Sequence, residues 1–479
     1  MVWNQIAYNN PHVSYLLYGA FCFVYSLISF KLQNSLYVTE SFFSTIFGII
    51  VGSNVLKLFD PYKWVLNRNI DQLTYELSRL ILCLQIFTTA IDTPKKFLKY
   101  HWKTILFLIV PVMTFGWIVT GAFIKIIFPQ LHFTDGLLIA GCITATDPCL
   151  SASIMTGAFA TNNVPEILRN IIAVESGVND GMAFPFIYLS LQLIKYNNSS
   201  KFSKNFKAKN IIKNWIVDII MYKIVFAAIF GIILGILARK GLKKLIVDDL
   251  DKEKDLFYND KDLSLIKNKW LTKESTITVY LSFIVFLIGC ASTLGIDDLL
   301  VAFFAGTAFA WTEWYSSHTE EFKFISSLDF LMNCFYFMYL GAILPFDQFN
   351  NATALVPEMN IWRLILVGLV ILTLRRLPIV VALHKFMPDI NGFKQSLFVG
   401  HFGAVGVGAI YSCMLSKEFL LNAMENLDSD EYAEYAHYER LVYIIWPIIS
   451  YIVFVSVVVH GCSIGAYSAF KKISNIRCF

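Results

Sequence analysis

Residues 143–188, ITATDPCLSASIMTGAFATNNVPEILRNIIAVESGVNDGMAFPFIY, decide how this chain is read. Two apolar segments lie here, each long enough to approach a bilayer span, and each carries polar groups at its middle. Thr144, Thr146, Asp147 and Pro148 interrupt the first, and Glu175, Ser176, Asn179 and Asp180 interrupt the second. An ionisable group at that depth is costly unless it pairs or binds something. The pattern points to an ion site in a transporter, with the rest of the chain as the scaffold that holds and moves it.

Composition sets the class. Of 479 residues, 56% are hydrophobic and 15% are charged, and the mean hydropathy is +0.58. A soluble protein carries about 25% charged residues. The chain therefore reads as an all-α polytopic membrane protein. A β-barrel is disfavoured because the apolar runs are long and continuous, not alternating. The nine Cys show no CxxC or Cys/His spacing. They read as small apolar fillers, with no structural metal. A GxxxxGK[ST] loop is lacking, so ATP-driven transport finds no support; a nucleotide or nucleic-acid partner, a cofactor and enzymatic activity are likewise not expected. The start, MVWNQIAYNN, lacks a basic leader, so the first span is expected to direct insertion. The approach of Phe479 soon after the last span is read as leaving only a short tail, without regulation or targeting through it.

Thirteen spans are expected along the chain, near 12–30, 36–54, 76–92, 103–127, 136–158, 167–194, 214–238, 276–292, 297–315, 327–344, 361–384, 396–415 and 441–466. The second and ninth are the weakest, because Glu40 lies in one and Asp297-Asp298 opens the other. An odd number places the termini on opposite sides. Lys95, Lys96, Lys99, Lys103 and the hydrophilic loop 239–275 favour an outside N-terminus and a cytoplasmic C-terminus. The sequons at Asn197, Asn198 and Asn351 agree, while the basic loop 195–213 runs against it.

A weak internal symmetry relates spans 1–6 to spans 8–13. The fifth breaks at Thr146-Asp147-Pro148, and the twelfth carries Gly400, His401, Phe402, Gly403, Ala404, Val405, Gly406, Val407 and Gly408 in sequence. Interrupted helices at matching places in two halves mark the midplane ion site of inverted-repeat transporters. Glycine for close helix packing is the alternative.

On the sixth span Glu175 and Asn179 share a helix face, and Ser176 and Asp180 share the adjacent one. A carboxylate in a cavity binds either a proton or a small cation. Competition between the two, with access alternating between the sides, suffices for exchange. Thr146, Ser176 and Asp180 offer hard oxygens, backbone carbonyls at the Asp147-Pro148 break can complete the shell, and Asn179 can hold the unwound segment. A static polar network joining helices is the alternative. In the eleventh span Arg375 and Arg376 need acidic partners or must snorkel. Glu175, Asp147 and Asp180 are candidates. An arginine cannot discharge, so pairing with Glu175 would leave Asp180 as the switching group. Spacing leaves open which arginine points inward. Asp297 and Asp298 read as a helix-start cap or as a cation entry. His401 reads as a proton-sensitive element or as a neutral His bonded to a carbonyl.

At these residues the chain resembles the fungal plasma-membrane alkali-cation/proton antiporters of the sodium/proton exchanger superfamily. The resemblance rests on ITATDP at 143–148, LRNIIAVESGVNDGMAFPF at 168–186, LRRLP at 374–378 and GHFGAVGVGAI at 400–410, and covers nearly the whole transmembrane chain. It implies an inverted-repeat antiporter fold of about 13 helices, with crossed discontinuous helices 5 and 12, in a homodimer. Scaffold helices would occupy 1–102 and 276–344 and moving core helices 103–194 and 361–466. A linker with a hydrophilic loop would occupy 195–275 and a short tail 467–479. It also implies roles: the essential carboxylate on Asp180 beside Asn179, the acid of the broken helix on Asp147 beside Thr146, and the stabilising pair on Glu175 and Arg375. Accessory roles fall on Asp297, Asp298 and His401. The implied partners are Na⁺ or Li⁺, with K⁺ in some members, exported against inward H⁺ across the plasma membrane. The chain departs from the family pattern at Ala404, where the family has Pro. A passive cation channel and a non-transporting sensor with this fold are the other classes.

Overall fold

In lipid, a spanning segment must satisfy its own backbone hydrogen bonds, and an α-helix does so within itself. The computed structural model describes residues 10–35, 37–65, 69–94, 96–148, 150–151, 158–198, 208–258, 273–311, 322–353, 355–427 and 432–473. The regular structure among them is helix. Its surface is apolar: Leu16, Phe23, Leu27, Ile126, Ile233 and Trp362 face outward. Its interior is where the polar groups lie, with Thr146, Asp147, Glu175, Ser176, Asn179 and Asp180 all buried. That inverted distribution belongs to a protein solvated by lipid.

Helix, whole or broken, stands at each stretch read as a span. Pro11–Ser29, Phe97–Ile127, Asn210–Leu242, Ile361–Phe386 and Tyr432–Ser468 are long and apolar enough to cross a bilayer. Others are shorter for local reasons. The weak second span is Glu40–Val51, and Glu40 Oε1 accepts from Asn333 Nδ2 at 3.1 Å. The ninth is Asp298–Phe309, capped at its start by Asp297. The loop expected at 239–275 needs correction. Its first part continues the helix Ala227–Tyr258, because charge alone does not end a helix and neither Gly nor Pro falls between Leu242 and Tyr258.

Small residues set the closest packing. Glu40–Val51 lies against Phe322–Ile343, and a Cβ on Gly48 would sit 2.1 Å from the Met338 carbonyl oxygen. In the centre, Phe133–Cys142 packs between Met113–Ile127 and Phe184–Asn198, and Ile361–Leu374 packs on Met113–Ile127. Val407–Glu425 lies against Ile70–Asp92 and Tyr432–Ile473. This packing gathers the TDP, ND, Arg-Arg and glycine-rich stretches into one interior. The remainder of the fifth span at 152–157 and the middle of the basic loop, 199–207, lie outside the described residues.

Candidate functional site

Two interrupted helices meet in this interior. Phe133–Cys142 ends at Ile143, the backbone is non-helical through Asp147, and helix resumes at the buried Pro148. Gly392–His401 ends before a non-helical stretch, 402–406, and helix resumes as Val407–Glu425. Each interruption exposes backbone N–H groups on one side and carbonyls on the other, with partial charges to match. Asp147 serves the N–H ends of both helices. Its Oδ2 accepts from Leu150 N at 3.0 Å and its Oδ1 from Val407 N at 3.1 Å. Its own N–H donates to the Ala404 carbonyl at 2.8 Å. Position 404 thus acts through its carbonyl, which proline also has. Gly406 makes the approach possible, since a Cβ there would lie 2.5 Å from the Asp147 carboxylate.

Arg375 serves the carbonyl ends. Its guanidinium donates to the carbonyls of Ile143 and Gly403, and to those of Thr144 and Ala145 at 3.3 Å. The partner of Glu175 is therefore not Arg375, as the family resemblance implied, but Arg376. Arg376 makes a two-pronged pair with the Glu175 carboxylate, one contact at 2.7 Å, and its Nε donates to the Val399 carbonyl at 3.0 Å. The physical reason is a second helix break. Ile361–Leu374 stops, Arg376 leaves helical geometry (φ −126°, ψ −46°), and helix restarts at Leu377, with Leu377 backbone beside Gly400. The two side chains thus diverge, and both are buried; neither snorkels to an interface.

Asn179 braces the first interruption. Its Oδ1 accepts from Thr146 N at 3.1 Å and its Nδ2 donates to Thr146 Oγ1 at 2.7 Å. Thr146 Oγ1 and Ser176 Oγ lie 3.0 Å apart, and Ser176 Oγ reaches Ser151 Oγ at 3.2 Å. Asp180 differs from all of these. It is 2% exposed, and neither carboxylate oxygen has a hydrogen-bond partner among the described residues. It points at the backbone of Gly408, where a Cβ would lie 2.1 Å from Oδ1. Asp147 and Asp180 thus face the same turn of the second broken helix.

Asp297 and Asp298 separate in role. Asp298 is matched: Arg79 Nε lies 3.0 Å from Oδ2, and Tyr411 OH donates to Oδ1 at 3.2 Å. Asp297 caps its helix, Oδ1 accepting from Leu300 N at 3.0 Å, while Oδ2 has no hydrogen-bond partner among the described residues and lies beside Gly181. His401 lies in the last turn of Gly392–His401, and its carbonyl meets His460 Nε2 at 3.0 Å. Arg79, Ser456 and His460 were not singled out from the sequence. His460 carried the signal used elsewhere, an ionisable residue inside an apolar run, whereas Arg79 stands at the polar edge of one, after Glu76 and Ser78. Ser456 carried none.

The sodium/hydrogen exchanger family, described as transmembrane, matches residues 20–469. Among curated relatives, the Na(+)/H(+) antiporter of Saccharomyces cerevisiae is 39% identical over 99% of this chain and 45% of its own length. Na(+)/H(+) antiporter 2 of Zygosaccharomyces rouxii is 38% identical over 99% and 55%. The Na(+)/H(+) antiporter of Schizosaccharomyces pombe is 32% identical over 99% and 94%. The chain thus spans about half the length of the first two relatives. The solved sodium proton antiporter MjNhaP1 from Methanocaldococcus jannaschii at pH 8 has the same fold, with a TM-score of 0.64 at 16% identity over 96% of this chain and 99% of that one. Matched along nearly all its length, the chain belongs to the sodium/hydrogen exchanger family of multi-pass membrane proteins.

Proposed function

We propose that this chain is a secondary antiporter that moves cytoplasmic Na⁺ or Li⁺, with K⁺ as a third candidate, outward in exchange for H⁺. The observation that carries the reading is Asp180: a buried carboxylate neither of whose oxygens has a hydrogen-bond partner among the described residues. Glu175 is held by Arg376, Asp147 by two helix ends, and Asn179 and Ser176 by Thr146. Asp180 is the carboxylate with both oxygens left to bind an ion, whereas Asp297 spends one oxygen on its helix cap. Burial favours the protonated carboxyl and a nearby cation favours the ionised one, so a site of this kind holds one or the other. Facing the cytoplasm, Asp180 releases a proton and takes a cation. Facing outward, it releases the cation and takes a proton. Thr146, Asp147, Ser176 and backbone oxygens of the broken helix supply the surrounding oxygens, and Asp297 marks the way to the external mouth.

The same reading places the chain in the plasma membrane with its N-terminus outside and its C-terminus inside, as a homodimer. Residues 103–194 and 361–466 form the moving core against the scaffold of 1–102 and 276–344. The test is a pH dye trapped in proteoliposomes that hold the purified chain. A Na⁺, Li⁺ or K⁺ pulse should drive proton movement that is lost in Asp180→Asn. Cation flux without proton movement would mean a channel, and no flux would mean a sensor.

A further inference from the structure

The unwound stretch 402–406 is held from outside the crossing by the last helix. Val405 N donates to Ser456 Oγ at 2.7 Å. Ser456 Oγ lies 3.1 Å from His460 Nδ1, and His460 Nε2 lies 3.0 Å from the His401 carbonyl oxygen. Ser456 and His460 are both buried, four residues apart on Tyr432–Ile473. The ends of this chain of contacts fix its direction. A backbone N–H can only donate, so Ser456 Oγ accepts from Val405. A carbonyl can only accept, so His460 Nε2 carries the hydrogen that meets His401. With Nδ1 unprotonated, the one hydrogen of the Ser456 hydroxyl points to it. A neutral imidazole completes the chain with each donor used once. This tautomer leaves the Nδ1 lone pair 3.0 Å from the Ser456 carbonyl oxygen; the other neutral tautomer would bond Nδ1–H to that carbonyl and set the Nε2 lone pair against the His401 oxygen, and an imidazolium would donate to both carbonyls while keeping the His401 contact.

The two ends grip the stretch on either side of Phe402, Gly403 and Ala404. Those residues include the carbonyl that bonds Asp147 N and the carbonyl that bonds Arg375. Immediately beyond lie Gly406 and Gly408, which set the approach of Asp147 and Asp180. We propose that Ser456 and His460 are positioning residues: a clasp that fixes the unwound stretch and thereby the distance of the second broken helix from the ion-binding carboxylate. The transport consequence rests on the exchange reading above, whereas the clasp itself does not.

Two measurements on the purified full chain test this. The first is amide hydrogen exchange over 402–407. Ser456→Ala and His460→Ala should each speed exchange there, while Ser456→Thr, which keeps the hydroxyl, should match the wild type. Unchanged protection in both Ala variants overturns the clasp, whatever transport does. The second is Na⁺-driven proton movement in proteoliposomes. Stranding the Val405 N–H should raise the half-saturating Na⁺ concentration roughly tenfold, with the maximal rate held. The double variant should be no worse than either single one, because both interrupt one chain of contacts, and Ser456→Thr should recover the wild-type value. A wild-type half-saturation in both Ala variants, or a loss confined to the maximal rate, overturns the positioning role. His460→Ala carries both arms should Ser456→Ala fail to fold. A wild-type chain without Na⁺-driven proton movement would remove the exchange reading and leave hydrogen exchange to judge the clasp.

Discussion

Arg376→Gln is the perturbation that tests the internal charge balance most sharply. The Glu175 and Arg376 side chains are 1% and 7% exposed, and they meet through two parallel contacts. Removing the guanidinium leaves a carboxylate in the interior with no cation against it. Breaking a buried pair from one side costs about 3–5 kcal/mol, most of it from the charge left behind. Removing both charges avoids that penalty, so Arg376→Gln/Glu175→Gln should recover most of the lost stability. Arg375→Gln should also destabilise, because four carbonyls lose their donor. It should gain nothing from Glu175→Gln. The assay is thermal unfolding of purified protein in detergent, followed by size-exclusion chromatography, across the cycle of single and double variants. Rescue of Arg375→Gln by Glu175→Gln, with none for Arg376→Gln, would refute the assignment. So would an Arg376→Gln protein as stable as the wild type.

Three further predictions follow from the same geometry. Gly408→Ala places a methyl against Asp180 Oδ1 and should cut the exchange rate roughly tenfold or more with membrane expression retained, read by quantitative immunoblot beside the transport assay. Asn179→Ala strands the Thr146 N–H and should cost about 1–3 kcal/mol in unfolding measurements, whereas Asn179→Asp retains the acceptor and should cost less. Asp298→Asn should lower the unfolding temperature by removing the buried acid that faces Arg79 Nε, leaving Arg79 only the exposed Glu76, while Asp297→Asn, which keeps a capping side chain, should leave that temperature unchanged and raise the half-saturating Na⁺ concentration.

The broken helices were legible in the sequence because their signals are local. Pro148 ends one ladder of backbone bonds, and a run of glycines permits another to open. The brace of Asn179 on the unwound segment also followed from chemistry, since an amide both donates and accepts. The choice between Arg375 and Arg376 did not follow. Spacing arguments assume an unbroken helix, and here the helix stops between Leu374 and Leu377, so adjacent side chains take directions that periodicity does not give. Long-range partners were hidden for another reason. Arg79 meets Asp298, and Ser456 meets Val405, across sequence separations that no local pattern reports. The helix beyond Leu242 was obscured by charge, which resembles a loop in composition while lacking a residue that breaks a helix.

These arrangements converge on one claim, that a proton and a cation contend for a single carboxylate. The most direct measurement is the Na⁺ concentration for half-maximal exchange across a series of pH values, in proteoliposomes at clamped voltage. If both ligands bind Asp180, acidification should raise that concentration by about tenfold per pH unit once protons dominate the site, at an unchanged maximal rate, and Asp180→Asn should show no exchange at any pH. A half-saturating concentration that stays constant while the maximal rate falls, or an Asp180→Asn protein that exchanges normally, would contradict the account.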